Sequence, residues 1–146
     1  MNEFEAVEIL LVEDSDADAE LIIRALRKAN VVNRLVRVRD GVEAVEFVFR
    51  SGAFKDRGAG NPRLIMLDLK MPRMSGIDVL RRLKSDEASK NIPVVVLTSS
   101  AEAQDVQESY KFGVNSYLVK PVAFSDFTNV VAHTGLYWAV MNKIPG

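Results

Sequence analysis

Cysteine is absent from this sequence, and its absence excludes disulfide bonds, thiol catalysis and thiolate metal sites. The acidic start, from Met1 to Glu5, lacks the basic segment of a signal peptide, and no apolar run approaches the length of a membrane span. Neither charge is in excess, because 19 basic residues stand against 20 acidic ones. No basic tract predicts a nucleic-acid or anionic-membrane surface. These absences predict a cytoplasmic protein with no nucleic-acid or membrane partner.

The composition is that of an ordinary globular domain, with 48% apolar and 27% charged residues. A chain of 146 residues can build one domain with a substantial core but is too short for two comfortable ones. No internal repeat, low-complexity tract or linker divides the sequence. We therefore predict a single domain.

The most informative stretch runs from Leu64 to Pro72. Four apolar residues lead directly into Asp68, and such a short apolar run is typical of a strand buried on both faces of a parallel sheet. Pro72 cannot donate a ladder hydrogen bond, so the strand must end before it. Asp68 is thereby predicted at the carboxyl end of a central strand, the edge where open α/β sheets bind ligands. This stretch alone fits equally well an aspartate that only caps the next helix.

Strand-like and helix-like patterns alternate along the rest of the chain. The five predicted strands are Glu8–Val12, Leu35–Val38, Leu64–Leu67, Pro93–Leu97 and Ser116–Val119. The five predicted helices begin at Ser15 or Asp16, at Asp40 or Gly41, at Ser75 or Gly76, near Ala103 and near Phe124. This alternation predicts a mostly parallel sheet covered by helices on both faces. The glycine-containing segment from Ser51 to Pro62 is predicted to be an exposed and mobile insertion.

Four of the predicted strands end in polar groups, namely Glu13 with Asp14, Asp68, Thr98 and Lys120. Because parallel strands bring their carboxyl ends to one edge, these groups should converge. Three clustered carboxylates repel one another, and a bound cation relieves that repulsion. Mg²⁺ is a suitable cation because it prefers hard oxygen ligands. A lysine and a hydroxyl opposite the metal suit the oxygens of a phosphoryl group. Each residue alone also fits a helix cap or a solvated charge, but five of them on successive strand ends favour a site.

These residues lie within four short motifs that resemble the receiver domain of bacterial two-component response regulators. The motifs are Val12-Glu13-Asp14, Leu67-Asp68-Leu69-Lys70-Met71-Pro72, Leu97-Thr98-Ser99 and Tyr117-Leu118-Val119-Lys120-Pro121. Their order and spacing match the family from about residue 8 to residue 141. The resemblance implies a (βα)5 fold, a doubly wound parallel five-stranded sheet with the flavodoxin-like strand order 2-1-3-4-5. It also implies a single receiver domain over residues 1–146, with no output domain.

The resemblance implies that Asp68 accepts a phosphoryl group from a phosphohistidine of a sensor histidine kinase. Such a protein is no enzyme in the ordinary sense, since it catalyses only its own phosphorylation and dephosphorylation. In the family, the counterparts of Glu13, Asp14 and Asp68 hold Mg²⁺, and the backbone carbonyl at the position of Lys70 is a further ligand.

The family also implies roles for the two strand ends that follow. The counterparts of Thr98 and Lys120 bind phosphoryl oxygens after transfer. Tyr117 corresponds to a switch residue that swings inward as the threonine moves and so alters the partner-binding surface. The partner on that surface is expected to be a second copy of the chain, giving a homodimer, or the cognate kinase. The bond between Lys120 and Pro121 is implied to be cis.

A narrower resemblance rests on the insertion from Ser51 to Pro62 and on Tyr137-Trp138 near the carboxyl terminus. Both features are similar to those of small single-domain regulators that are paired with bacterial phytochrome-type kinases. The implied partner is therefore a kinase of the phytochrome type.

Three other classes fit parts of the same sequence. Asp14-Ser15-Asp16 resembles the nucleophile motif of haloacid-dehalogenase-like phosphohydrolases, in which Asp14 would attack phosphate. The alternation of Asp14, Asp16 and Asp18 resembles a calcium-binding loop, although Ala19 and Ala25 replace residues that such a loop needs. A phosphorylation-independent interaction module is the third. Identifying the residue that carries an acyl phosphate separates the first of these from a receiver domain.

Overall fold

The computed structural model describes residues 9–28, 34–58, 60–120 and 125. Its strands are β1 (Ile9–Val12), β2 (Leu35–Val38), β3 (Leu64–Leu67), β4 (Val94–Thr98) and β5 (Ser116–Val119). Its α-helices are α1 (Asp16–Lys28), α2 (Gly41–Phe49), α3 (Gly76–Lys84) and α4 (Ala103–Lys111), and a short 3-10 helix spans Gly52–Phe54. The predicted fifth helix, apart from Ser125, and the Lys120–Pro121 bond lie outside the described residues. Within the described part of the chain, no helix is long and apolar enough to cross a membrane.

All five strands are parallel and form one sheet in the order β2-β1-β3-β4-β5, which confirms the predicted strand order. The three central strands β1, β3 and β4 are buried along their whole length, as their unbroken apolar runs predicted. The outer strand β2 is half-buried, and its Arg37 side chain suits an edge position.

The core divides into two layers because successive side chains of a strand point to opposite faces of the sheet. Leu10, Ile65 and Val96 face α2 and α3 in one layer. Leu11 and Met66 face α1 in the other layer. Helices therefore cover both faces of the sheet, and the carboxyl edge is left to the loops.

Three helix starts follow the predicted caps. The side chain of Ser15 accepts a hydrogen bond from the Asp18 amide at the start of α1, at 3.2 Å. Asp40 caps α2 by accepting from the Glu43 amide at 2.9 Å. Ser75 likewise caps α3. Such caps satisfy amides that have no partner inside the helix.

The segment between α2 and β3 is exposed over most of its length but is tied to α2. The Phe54 ring packs edge-on against Phe47, with ring centroids 5.1 Å apart. The Arg57 guanidinium lies 4.3 Å from the centre of the Phe47 ring and donates to the carbonyls of Phe47 and Val48. The sequence predicted an exposed and mobile insertion, and its exposure is confirmed. The two contacts with α2 could not be predicted, because glycine content signals a loop but says nothing about anchoring side chains.

Candidate functional site

The site lies at the carboxyl edge of the sheet, where backbone hydrogen bonds continue one residue beyond the strands. The Glu13 amide donates to the Val38 carbonyl at 3.0 Å, and the Asp68 amide donates to the Val12 carbonyl at 3.1 Å. The Lys120 amide donates to the Thr98 carbonyl at 2.8 Å. These bonds fix the backbone of each polar residue relative to its neighbouring strand, so the side chains start from rigid positions.

Three carboxylates meet at this edge. Glu13, Asp14 and Asp68 each place an oxygen within 4.8 Å of the others. Glu13 is only 1% exposed and Asp68 only 6%, whereas Asp14 is exposed. Buried carboxylates are costly unless a cation or hydrogen-bond donors compensate them. The cluster therefore requires positive charge, and its hard oxygen donors fit a divalent metal of the Mg²⁺ type.

Lys120 supplies one positive charge. Its Nζ lies 2.5 Å from Glu13 Oε1, 2.9 Å from Asp18 Oδ2 and 3.4 Å from Asp68 Oδ2. Burial opposes the charged form, but the hydrogen bonds to Glu13 and Asp18 and the charge of Asp68 outweigh it and raise the pKa of Lys120. Burial also raises the pKa of Glu13, although the hydrogen bonds from Lys120 and from the Ser15 amide act in the opposite direction.

The loop between β3 and α3 folds tightly around Asp68. The Lys70 amide donates to Asp68 Oδ1 at 3.2 Å, and the Gly76 amide donates to the Leu69 carbonyl at 2.9 Å. A Cβ atom at position 76 would overlap the Asp68 carbonyl oxygen and lie 2.7 Å from the Leu69 Cα. Glycine at this position therefore permits the close return of the chain that holds Asp68 in place.

A second contact locks the same loop to the start of α2. Arg73, in the left-handed region at φ 67°, donates from Nε to Asp40 Oδ2 at 2.8 Å and from Nη2 to Oδ1 at 3.0 Å. A Cβ atom on Gly41 would overlap the Met74 carbonyl oxygen. Burial raises the pKa of Asp40, but hydrogen bonds from the Glu43 amide and from Arg73 outweigh it, and the net pKa is lowered.

A polar chain leads away from the site on the β4 side. Thr98 is fully buried at the end of β4, and its hydroxyl lies 3.4 Å from the Ser100 amide. The Ser100 side chain donates to Asp105, which also pairs with Lys70 at 3.4 Å. The Tyr117 hydroxyl donates to the Ser100 carbonyl at 2.7 Å. Tyr117 packs on the layer that faces α2 and α3, so it is connected to the site through the loop after Thr98.

The structure brings together four of the residues that the sequence singled out, namely Glu13, Asp14, Asp68 and Lys120. Sequence reasoning missed the contact of Asp18 with Lys120 and that of Asp105 with Lys70. The available signal for Asp18 was its place in the first turn of the helix that follows the acidic end of β1. No sequence signal marks Asp105.

Asp14, Asp16 and Asp18, the alternating acids after β1, contact different partners. Asp16 pairs with Arg37 at 2.8 Å and with Arg39 at 2.6 Å, and Asp18 pairs with Lys120. Asp14 alone joins the carboxylate cluster. The three side chains therefore do not surround one point, as a calcium-binding loop would require.

The carboxyl edge of this parallel sheet carries clustered acids, a lysine beside a central aspartate and a threonine on the next strand. These features together define a phosphoryl-accepting signalling domain. The family model of the response regulator receiver domain matches residues 9–132. The chain belongs to this family, and it is a phosphoacceptor of two-component signalling rather than a conventional enzyme.

Solved structures and curated proteins agree with this assignment. The bacteriophytochrome response regulator RtBRR is 45% identical, with a TM-score of 0.84 over 96% of this chain and 85% of that chain. The probable methanogenesis regulatory protein FilR2 of Methanothrix harundinacea is 39% identical over 94% of this chain and 87% of its own length.

The response regulator Rcp1 of Synechocystis is 37% identical over 94% of this chain and 92% of its own length. A crystal structure of Rcp1 in its Mn²⁺-bound form aligns with a TM-score of 0.77 and 36% identity, over 97% of this chain and 100% of that chain. Together with the carboxylate cluster, this similarity supports a divalent metal at the acidic edge.

Proposed function

We propose that Asp68 is the residue that accepts the phosphoryl group. The observation that carries this proposal is the position of its carboxylate, which is buried at the carboxyl end of a central strand, clustered with Glu13 and Asp14, and 3.4 Å from Lys120 Nζ. In the transfer, a carboxylate oxygen forms a bond to phosphorus while the phosphorus–nitrogen bond of a phosphohistidine breaks. The imidazole keeps the electron pair of that bond. The chain itself then promotes both this transfer and the later hydrolysis.

We propose Mg²⁺ as the metal and Glu13, Asp14, Asp68 and the backbone carbonyl of Lys70 as its protein ligands. The support is the set of hard oxygen donors at one edge and the absence of cysteine from the sequence. When bound, Mg²⁺ supplies positive charge that offsets the repulsion between carboxylates and phosphoryl oxygens.

Lys120 and Thr98 are proposed to hold phosphoryl oxygens once Asp68 is modified. The Lys120 ammonium is already beside Asp68 and carries three donors. Thr98 ends the strand next to β3 and is fully buried. Its hydroxyl oxygen accepts only a weak hydrogen bond from the Ser100 amide, so its O–H group can donate to an ionised phosphoryl oxygen.

Tyr117 is proposed as the switch residue that reports the state of Asp68 to the surface. Its hydroxyl donates a hydrogen bond to the Ser100 carbonyl, which belongs to the loop that follows Thr98. A movement of Thr98 toward the phosphoryl group would therefore shift the hydrogen-bond partner of Tyr117. The surface altered in this way is expected to bind a second copy of the chain or the kinase.

The proposed phosphoryl donor is a sensor histidine kinase of the phytochrome type, and the proposed location is the cytoplasm. The similarity to RtBRR, whose name states a bacteriophytochrome system, supports this choice of kinase. We further propose that residues 1–146 form one receiver domain, which the match over residues 9–132 supports.

The test is covalent labelling by acetyl phosphate in the presence of Mg²⁺. Wild type should gain one phosphoryl group, and Asp68→Asn should gain none because the attacking oxygen is lost. Asp78→Asn, an exposed aspartate on α3, is the matched control and should label like wild type. Asp14→Asn should still label but should require more Mg²⁺. Undiminished labelling of Asp68→Asn would refute the proposal.

A further inference from the structure

Asp18 makes a contact for which the proposed chemistry has no use. It reaches from the first turn of α1 to Lys120, which follows β5, and the two residues are 102 positions apart in sequence. We propose that Asp18 is a positioning residue that restrains Lys120 in the unphosphorylated protein and competes with the phosphoryl group for its ammonium. This inference rests on the roles proposed for Asp68 and Lys120.

The ammonium of Lys120 has three donors, and three carboxylates already receive them. The acceptors are Glu13 at 2.5 Å, Asp18 at 2.9 Å and Asp68 at 3.4 Å. A phosphoryl oxygen on Asp68 lies farther from the strand than the carboxylate itself. Lys120 must therefore shift outward, and one of its present contacts must lengthen.

Burial determines which contact is released. Glu13 is 1% exposed, so water cannot replace the hydrogen bond that Lys120 donates to its carboxylate. The Asp18 side chain is 41% exposed, so water can take the place of Lys120 at little cost. Asp18 is therefore the acceptor that releases Lys120. Its hydrogen bond with Lys120 opposes binding of a phosphoryl group at Asp68.

The first turn of α1 fixes Asp18 in this position. Its amide donates to the Ser15 side chain at 3.2 Å, and the next residue, Ala19, is buried against the sheet. The contact thus ties α1 to the end of β5 in the unphosphorylated protein. Its release would loosen that tie when Asp68 is modified.

Asp18 does not act as a further metal ligand in this scheme. Among the described residues, the group of acids whose oxygens lie within 4.8 Å of one another consists of Glu13, Asp14 and Asp68, without Asp18. Loss of the Asp18 charge should therefore change the binding of a phosphoryl mimic more than the binding of Mg²⁺.

The experiment compares Asp18→Asn with Asp16→Asn. Both changes remove one negative charge from the first turn of α1, but Asp16 pairs with Arg37 and Arg39 instead of Lys120. Calorimetry measures the dissociation constant of Mg²⁺, and then that of beryllofluoride at saturating Mg²⁺. Asp18→Asn should bind beryllofluoride about two- to fivefold more tightly than wild type, the range expected for a half-exposed ion pair. Asp16→Asn should bind it like wild type.

Asp18→Glu is the rescue variant, because it restores the charge within reach of Lys120 and should return the affinity toward that of wild type. Equal or weaker binding of beryllofluoride by Asp18→Asn would overturn the inference alone, as would equal tightening by Asp16→Asn. A larger loss of Mg²⁺ affinity in Asp18→Asn would identify a metal ligand instead and would also overturn it. If wild type binds no beryllofluoride, the proposed function fails and this inference fails with it.

Discussion

Replacing Lys120 with methionine should destabilise the protein in a manner that depends on pH. Methionine fills similar space but removes the ammonium that contacts Glu13 and Asp68, which are both buried. Breaking a buried ion pair in this way costs about 3–5 kcal/mol when the remaining charge stays unpaired.

Protonation of Glu13 limits this cost, because it removes the buried charge that Lys120 no longer offsets. Burial already raises the pKa of Glu13 from its ordinary value of 4.5. In the unfolded chain Glu13 has its ordinary pKa. Relative to that state, keeping Glu13 protonated in the folded protein costs about 3 kcal/mol at pH 7 and about 1 kcal/mol at pH 5. A raised folded-state pKa means that stability is lost as pH rises from the ordinary value through the folded-state value. The deficit of Lys120→Met should therefore grow from about 1 kcal/mol at pH 5 to about 3 kcal/mol at pH 7.

Urea denaturation in the presence of a metal chelator measures both deficits. Lys70→Met is the control, because Lys70 lies only two residues after Asp68 in sequence but its side chain is 59% exposed and pairs with Asp105 at 3.4 Å. Its loss should cost less than about 1 kcal/mol at either pH. If Lys120→Met is no less stable than Lys70→Met, or if its deficit is the same at pH 5 and pH 7, the buried carboxylates do not depend on the charge of Lys120.

Two further predictions concern the loops around the site. Asp40→Asn keeps a good helix cap but loses the charge that pairs with Arg73, so it should cost about 1 kcal/mol at pH 7. Because the folded-state pKa of Asp40 is lowered, this difference should persist above the ordinary value of 3.8 and disappear as pH falls below it, in urea denaturation followed across pH. Thr98→Ala should bind beryllofluoride without the change in self-association or kinase affinity that we expect of the wild type, as measured by sedimentation and binding titration. A wild-type response in this variant would mean that another residue couples Asp68 to the surface.

The strands and the main site residues could be predicted from the sequence because they depend on local patterns. The run before Asp68 is apolar at every position, and its side chains are buried alternately in the two core layers on either face of the sheet. The convergence of Glu13, Asp68 and Lys120 then follows from the parallel arrangement of the strands, which bring their carboxyl ends to one edge.

The partners of Asp18, Arg73 and Asp105 could not be predicted in this way. Each depends on how a loop or a helix end is placed against an element distant in sequence, and no periodic pattern encodes that placement. Arg73 also adopts a positive φ that is uncommon for a residue with a side chain, and its bidentate contact with Asp40 is seen only in three dimensions. The packing of Phe54 and Arg57 against α2 could not be predicted from the sequence for the same reason.

Whether Asp68 carries the phosphoryl group can be determined by locating the acyl phosphate in the wild-type chain. After labelling with acetyl phosphate and Mg²⁺, reduction by borohydride converts the modified aspartate to homoserine, and mass spectrometry of peptides identifies its position. We expect a single modification, at residue 68. Modification at Asp14 would instead support the phosphohydrolase chemistry and would contradict the assignment of Asp68.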